Sequence, residues 1–264
     1  MFKITDADYG RTGDIFRCEA CGFLQCATMT DVLDFYVEMA DEDYEATSRQ
    51  RALQQRKLLE AVGRVRPNGR LLDVGAGSGV LVEQAIALGY AAEGIEPSVA
   101  LHSRARARGL PVHHGVLPNR SAQGPYDVVT VVDVIEHVPD PVGLMRTIAA
   151  TMSPQGIAVF VTPDVGSLAA RLFGWKWWHY RIAHIGYFDR HTLRRAAQAA
   201  GLEVILTKRP CWYFPASYLL SRAARYLPKA LRVPSPGFLD RITVPLNLFD
   251  SLMVVCRKRV AVAN

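Results

Sequence analysis

The chain has 264 residues, a net charge of +6, and a half-hydrophobic composition that suits one large α/β domain with additions, or two small domains. No apolar run approaches the roughly 20 residues of a membrane-spanning helix, and MFKITDADYG at the N-terminus lacks the apolar core of a signal peptide. The five cysteines form no evenly spaced disulfide framework, so a reducing, cytoplasmic setting is expected.

Residues 1–30 form a short cysteine-bearing segment. Residues 31–45 then carry seven acids and no Lys or Arg. Within the lead-in that runs to residue 69, Thr47–Val62 is expected to be helical, with Leu53, Leu58, Leu59 and Val62 available for one face. From residue 70 short β-branched runs alternate with helical stretches, the pattern of a parallel sheet covered by helices. The expected strands are Arg70–Val74, Ala91–Ile95, Pro111–His114, Tyr126–Val132, Ile157–Val161, Leu202–Thr207 and Ser251–Arg257. Between them lie helices over Val80–Leu88, from a Ser98 cap toward Arg108, over Pro141–Met152, and over Thr192–Ala200 with Gly201 as its stop. Residues 209–249 break the alternation and are too long for a simple connection.

Chemistry concentrates first at Leu71-Leu72-Asp73-Val74-Gly75-Ala76-Gly77-Ser78-Gly79. A strand runs into three glycines and a helix follows at once. Such a turn lets the backbone approach a ligand and presents the unpaired N–H groups of a helix start. About twenty residues on, the next strand ends in Gly94-Ile95-Glu96-Pro97-Ser98, where an acid can accept hydrogen bonds from both ribose hydroxyls of an adenosine. A glycine turn alone also fits a dinucleotide site or a turn without a ligand. Asp73 discriminates: a pyrophosphate is repelled by an adjacent carboxylate, whereas an ammonium or a sulfonium tolerates one.

After the fourth strand comes Asp133-Val134-Ile135-Glu136-His137-Val138-Pro139-Asp140-Pro141, at the carboxyl end of the sheet where α/β folds bind ligands. A carboxylate and an imidazole there can orient a ligand or meet an acceptor, or can brace the loop. Histidine is a natural base near pH 7, so His137 and His184 are the candidate catalytic bases.

LLDVGAGSG, GIEPS and YDVVTVVDVIEHVPDP, in that order, resemble the class I S-adenosylmethionine (SAM)-dependent methyltransferases. The branch most similar includes ubiquinone-biosynthesis O-methyltransferases and many sugar and natural-product enzymes. The resemblance covers about residues 70–207. It implies a Rossmann-like α/β fold with a seven-stranded sheet, mostly parallel with the last strand antiparallel, and helices on both faces. It also implies a SAM site lined by Asp73, Gly75, Ala76, Gly77, Gly79, Glu96, Pro97, Val116, Asp133 and Val134. Glu96 would hold the ribose, and residues near Val116 and Leu117 would flank the adenine.

On the acceptor side, Trp175, Lys176, Trp177 and Trp178 precede His184-Ile185-Gly186-Tyr187-Phe188, and the similar branch carries an aromatic loop and a His-x-x-x-Phe element here. Glu136, Trp175, Trp178 and Tyr187 are the expected substrate-binding residues, with a hydrophobic bridge to the C-terminal insertion as the other reading. Cys18, Cys21 and Cys26 resemble half of a zinc ribbon, but a structural zinc wants four ligands, so no metal is expected.

In residues 216–232, Arg222, Arg225, Lys229 and Arg232 recur at helical spacing, following Trp212, Tyr213, Phe214 and Tyr218. This pattern fits either peripheral attachment to an anionic membrane surface or a cap over the acceptor pocket. No groove-reading motif supports nucleic-acid binding. The expected activity is O-methylation of a small-molecule, sugar or lipid-linked acceptor, with N- or C-methylation open. The rivals are an NAD-type oxidoreductase and a non-catalytic partner protein of the same fold.

Overall fold

The computed structural model describes residues 14–27, 48–181, 183–224 and 237–259. The acidic run at 31–45 and the basic positions Arg225, Lys229 and Arg232 lie outside the described residues.

Seven strands form the central sheet: β3 (Arg70–Val74), β4 (Ala91–Glu96), β5 (Val112–His114), β6 (Tyr126–Val132), β7 (Met152–Pro163), β9 (Leu202–Lys208) and β12 (Ser251–Lys258). Their order is β5-β4-β3-β6-β7-β12-β9. Neighbours from β5 to β7 are parallel, and β12 runs antiparallel to both β7 and β9. The expected seven-stranded architecture is therefore present, with the last strand inserted rather than at an edge. The fifth strand is longer than its apolar run, extending from Met152 to Pro163, because Met152 pairs with Tyr126 at one end and Pro163 faces Ser251 at the other.

Both faces of the sheet are covered, which is why its strands read as unbroken apolar runs. Alternate residues go to opposite sides. Leu72, Val129, Val131 and Phe160 pack with Met145 and Ile148 of α4 (Pro141–Thr151) and with Leu193 and Ala197 of α6 (Arg190–Ala199). Leu71, Val128, Val159 and Val255 pack on the other side with Leu59 and Val62 of α1 (Ser48–Gly63) and Leu81 and Ala85 of α2 (Val80–Ala87).

Local chemistry ends the helices as the residues demand. Ser98 accepts from Leu101 N to start α3 (Val99–Ala107), and Asp189 and Thr192 form a reciprocal capping box on α6. Gly201 follows α6 at φ +78. After β7, Ser167 caps the short α5 (Leu168–Phe173).

Two smaller sheets flank this core. The hairpin β1 (Ile15–Arg17) and β2 (Leu24–Cys26) is joined by β8 (Gly186–Tyr187), so the cysteine-bearing segment is stitched to the loop before α6. In the insertion, β10 (Trp212–Pro215) pairs antiparallel with β11 (Thr243–Leu246), and α7 (Ala216–Ala224) rises between them. Gln50 of α1 donates to the Thr243 hydroxyl, which fixes this hairpin to the main body. Among the described residues no helix is long and apolar enough to cross a membrane.

Candidate active site

The carboxyl ends of β3, β4 and β6 open into one crevice, and the glycine turn lines it. Gly75 N and Ala76 N both donate to Ile95 O, at 2.9 and 3.0 Å, which ties the turn to β4. Gly75 sits at φ +77, and a Cβ there would collide with Val134 Cγ2. Gly94 was not among the expected site residues. A Cβ on it would lie 2.6 Å from Ala76 Cβ, so only glycine lets the turn settle on β4.

Glu96 organises this turn. Its buried carboxylate accepts from Gly77 N at 2.7 Å and from Ser98 N at 2.8 Å. Each oxygen keeps a further lone pair for a ligand hydroxyl. Burial raises its pKa despite these two bonds. Asp73 is also buried and accepts from the Thr130 hydroxyl at 2.7 Å. Burial pushes it up to about 7, the Thr130 bond opposes this, and the charge of Glu96 adds to it. Among the described residues no ion pair reaches Asp73. Two poorly compensated carboxylates in one crevice fit a ligand that carries positive charge and ribose hydroxyls, and oppose a pyrophosphate.

The other expected cofactor residues stand around this pair. Gly77 and Gly79 complete the turn at φ +56 and +81. Pro97 O is bonded to His114 Nε2 at 2.9 Å, and Val116 is exposed just beyond β5. Asp133 ends β6 at φ 53, a left-handed conformation that aspartate tolerates better than most residues. Its surface is open to the crevice, yet crowding protein atoms push its carboxyl up to about 6, opposed by Arg51 and Arg181.

Glu136 and His137 lie on a single 3-10 turn, Ile135–His137, and they face the same place. Thr162 Oγ1 donates to Glu136 Oε2 at 2.9 Å, while Glu136 Oε1 is buried with no hydrogen-bond partner. His137 Nδ1 lies 2.6 Å from Ala183 O, a contact that requires the proton on Nδ1 and leaves Nε2 as an acceptor. That Nε2 is 4.0 Å from Glu136 Oε1. His184 adds a buried Nδ1 with no partner, and the two imidazoles meet edge to face at 4.7 Å. One ligand atom from each of Glu136, His137 and His184 lies within 4.8 Å of the others. Glu136 Oε1 and His184 Nδ1, both buried without a partner, call for a cation or a proton.

Burial, the dominant cause, lowers His137 to about 4 and His184 well below its ordinary value. Both are neutral at pH 7 and weak as free-standing bases. A neutral imidazole is instead the form that ligates a metal. Glu136 is pushed up to about 8, by burial first and by the charge of Asp133 second. Sequence inspection offered no metal here, because 47 positions separate Glu136 from His184 in no recognised spacing. The adjacent Glu-His pair was the available signal.

The remaining candidates separate. Cys18 and Cys21 share the β1–β2 turn, where the amide and the thiol of Cys21 both bond to the Cys18 sulfur. Cys26 stands apart, opposite Ile15, with its thiol donating to His184 O at 3.4 Å. Among the described residues the three thiols do not converge on one point. Of the tryptophans, Trp175 is 71% exposed beneath the Lys176 ammonium, and Trp178 is half-buried against Phe173. Trp177 is fully buried and donates to Asp250 Oδ2 at 3.4 Å. Tyr187 is buried too; its hydroxyl donates to Arg181 O and its ring packs on Tyr180.

Comparison with known proteins agrees with this chemistry. A methyltransferase-domain family model matches residues 46–207, more than half of the chain. A ubiquinone biosynthesis O-methyltransferase of Caulobacter vibrioides is 38% identical over 104 residues, which cover 35% of this chain and 40% of that protein. Its counterpart in Vibrio campbellii is 33% identical over 101 residues, covering 35% and 43%. The matched stretch thus spans about two fifths of these relatives. Among solved structures, a possible histamine N-methyltransferase of Thermotoga maritima aligns with a TM-score of 0.53 at 19% identity, over 83% of this chain and 94% of that one. Magnesium protoporphyrin IX methyltransferase of Synechocystis, solved with S-adenosylhomocysteine bound, aligns at 0.51 and 13% identity over 84% and 89%. These structures share the fold. Since the family model runs from the lead-in to α1 through β9 and takes in the whole cofactor crevice, the chain belongs to the class I SAM-dependent methyltransferases.

Proposed function

We propose that this enzyme transfers the methyl group of SAM to a hydroxyl oxygen of a small or lipid-linked acceptor, beside a divalent cation held by Glu136, His137 and His184. The observation that carries this reading is the convergence of three buried acceptor atoms at the carboxyl end of the sheet, two of them without a partner. SAM brings a methyl group already activated on a sulfonium. The residues of the chain need to hold donor and acceptor in line. Asp73 and Glu96 meet the charge and the ribose, the glycine turn shapes the approach, and Asp133 closes the crevice toward the acceptor. A divalent cation supplies a Lewis acid that lowers the pKa of an acceptor hydroxyl, which is why weakly basic histidines suffice.

Two further observations support the acceptor class. The relatives matched over about a third of this chain are named as O-methyltransferases of ubiquinone biosynthesis. Beside the acceptor loop, Leu168, Leu172, Phe173 and Trp175 form an exposed apolar ridge, with Leu172 75% exposed, and residues 165–188 contain no acid. Such a ridge suits contact with a lipid phase.

The test is S-adenosylhomocysteine release over a panel of catechols, phenols and amines, after EDTA treatment and after return of Mg²⁺ or Zn²⁺. Turnover should favour the hydroxylated acceptors, fall with EDTA and recover with the ion. Full turnover in EDTA, retained by both Glu136→Ala and His184→Ala, removes the cation; turnover confined to amines removes the oxygen acceptor.

A further inference from the structure

A cavity of about 340 Å³ lies between the N-terminal hairpin, α5 and the start of α6. None of its lining residues belongs to the cofactor crevice or to the Glu136–His137–His184 cluster. Its walls include Arg17 from β1, Arg171 from α5, Tyr180 and Tyr187. Among the described residues neither arginine forms an ion pair. Arg17 reaches only the Gly22 carbonyl, at 3.5 Å.

Two acids bear on this cavity: Asp189, which is part of its lining, and Asp164, which is paired with an arginine. Asp189 Oδ1 accepts from Thr192 N at 2.7 Å and from the Thr192 hydroxyl at 2.8 Å, capping α6. Asp164 Oδ1 accepts from Gly166 N, and its Oδ2 pairs with Arg209. Residues 165–188 carry Arg171, Lys176 and Arg181 and no acid. The lining thus carries two guanidiniums against one carboxylate, Asp189, and the charge of Arg17 acts on the Tyr180 hydroxyl.

The chemistry of such a site is specific. A guanidinium presents paired N–H donors that match two oxygens of a phosphate, and a phenol hydroxyl can donate to a third. The cavity volume is at the lower end of the range of small-molecule sites, about 300–1,000 Å³, which accommodates a phosphate or diphosphate group. We propose that this cavity is an anion site that takes the phosphate of a phosphate ester between Arg17 and Arg171.

That phosphate has two possible sources. It can belong to a soluble phosphorylated metabolite, or to the head group of a phospholipid whose chains lie along the adjacent α5 ridge. The full-length protein is titrated with inorganic pyrophosphate by calorimetry at constant ionic strength. In parallel it is sedimented with phosphatidylglycerol vesicles and with phosphatidylcholine vesicles. Pyrophosphate binding that Arg17→Gln and Arg171→Gln each weaken about tenfold, and that the double variant loses, assigns the site to soluble phosphates. Retention on phosphatidylglycerol alone, lost in the double variant, assigns it to a lipid head group. Binding of neither probe, or binding that the double variant keeps, overturns the proposal. S-adenosylhomocysteine affinity is measured in each variant and is expected to be unchanged. Loss of this site is thereby distinguishable from loss of the cofactor site.

Discussion

Asp73 offers the sharpest quantitative test of the cofactor crevice. Its carboxyl climbs from 3.8 to about 7 because it is buried with only the Thr130 hydroxyl to compensate. That climb corresponds to about 4 kcal/mol against the ionised form. A ligand bearing positive charge binds the ionised form, so its apparent affinity scales with the ionised fraction. With a pKa near 7, that fraction falls about tenfold between pH 8 and pH 6. SAM affinity should therefore rise as pH climbs through 7 and level off above it. The sign for stability is opposite: the folded state holds this proton more tightly than the unfolded chain does. The ligand-free protein should accordingly lose stability as pH rises from about 4 to about 7, and thermal stabilisation by SAM should be greater at pH 8 than at pH 6. Calorimetric titration from pH 5.5 to 8.5 measures the affinity. Asp73→Asn isolates this group from Glu96, which burial also raises. The variant should bind more weakly at pH 8, by about 2 kcal/mol, and with a flat profile. A flat profile in the wild type, or an undiminished slope in the variant, would refute the reasoning.

Other perturbations probe the neighbouring parts. Gly77→Trp and Glu96→Ala should each abolish measurable S-adenosylhomocysteine binding by calorimetry while leaving the circular dichroism spectrum intact. Gly94→Val should do the same at a position that touches no ligand, because its side chain would push the turn off β4. Replacing Leu168, Leu172 and Trp175 together with Ser should leave S-adenosylhomocysteine binding unchanged and release the protein from vesicles in co-sedimentation. Leu59→Ala in α1 should lower stability by about 2–5 kcal/mol in denaturant titration, since this leucine is fully buried between helix and sheet.

The sheet was legible because its strands carry their burial in their composition. Tyr126–Val132 and Ile157–Val161 are apolar at nearly every position, and both are buried in the sheet. The glycine turn was legible because only glycine allows its backbone, and Glu96 because it lies one strand away. Gly94 escaped notice, since its reason is a contact with Ala76 across two strands. The acceptor cluster escaped for a similar reason: His184 and Glu136 meet only once the 3-10 turn and the loop before β8 are in place. The three tryptophans were indistinguishable in sequence, yet Trp177 is core because Asp250, 73 positions away, answers its indole. In the insertion, the strands β10 and β11 contain Pro215 and Pro245, which mask their strand character, and their pairing depends on residues 28 apart at the closest.

The pairing of β2 with β8 has a consequence for how the chain is made. Residues 24 and 25 find their partners only at 187 and 186, and the Cys26 thiol rests on the carbonyl of His184. Closing so long a loop is slow compared with forming local contacts. On the ribosome, the β1–β2 hairpin must therefore wait until some 160 further residues have been synthesised before β8 can join it. The cofactor crevice, built between residues 70 and 134, needs none of it. A chain lacking residues 14–27 should therefore keep the crevice built between residues 70 and 134 and loosen the loop before α6, which β2 holds through β8.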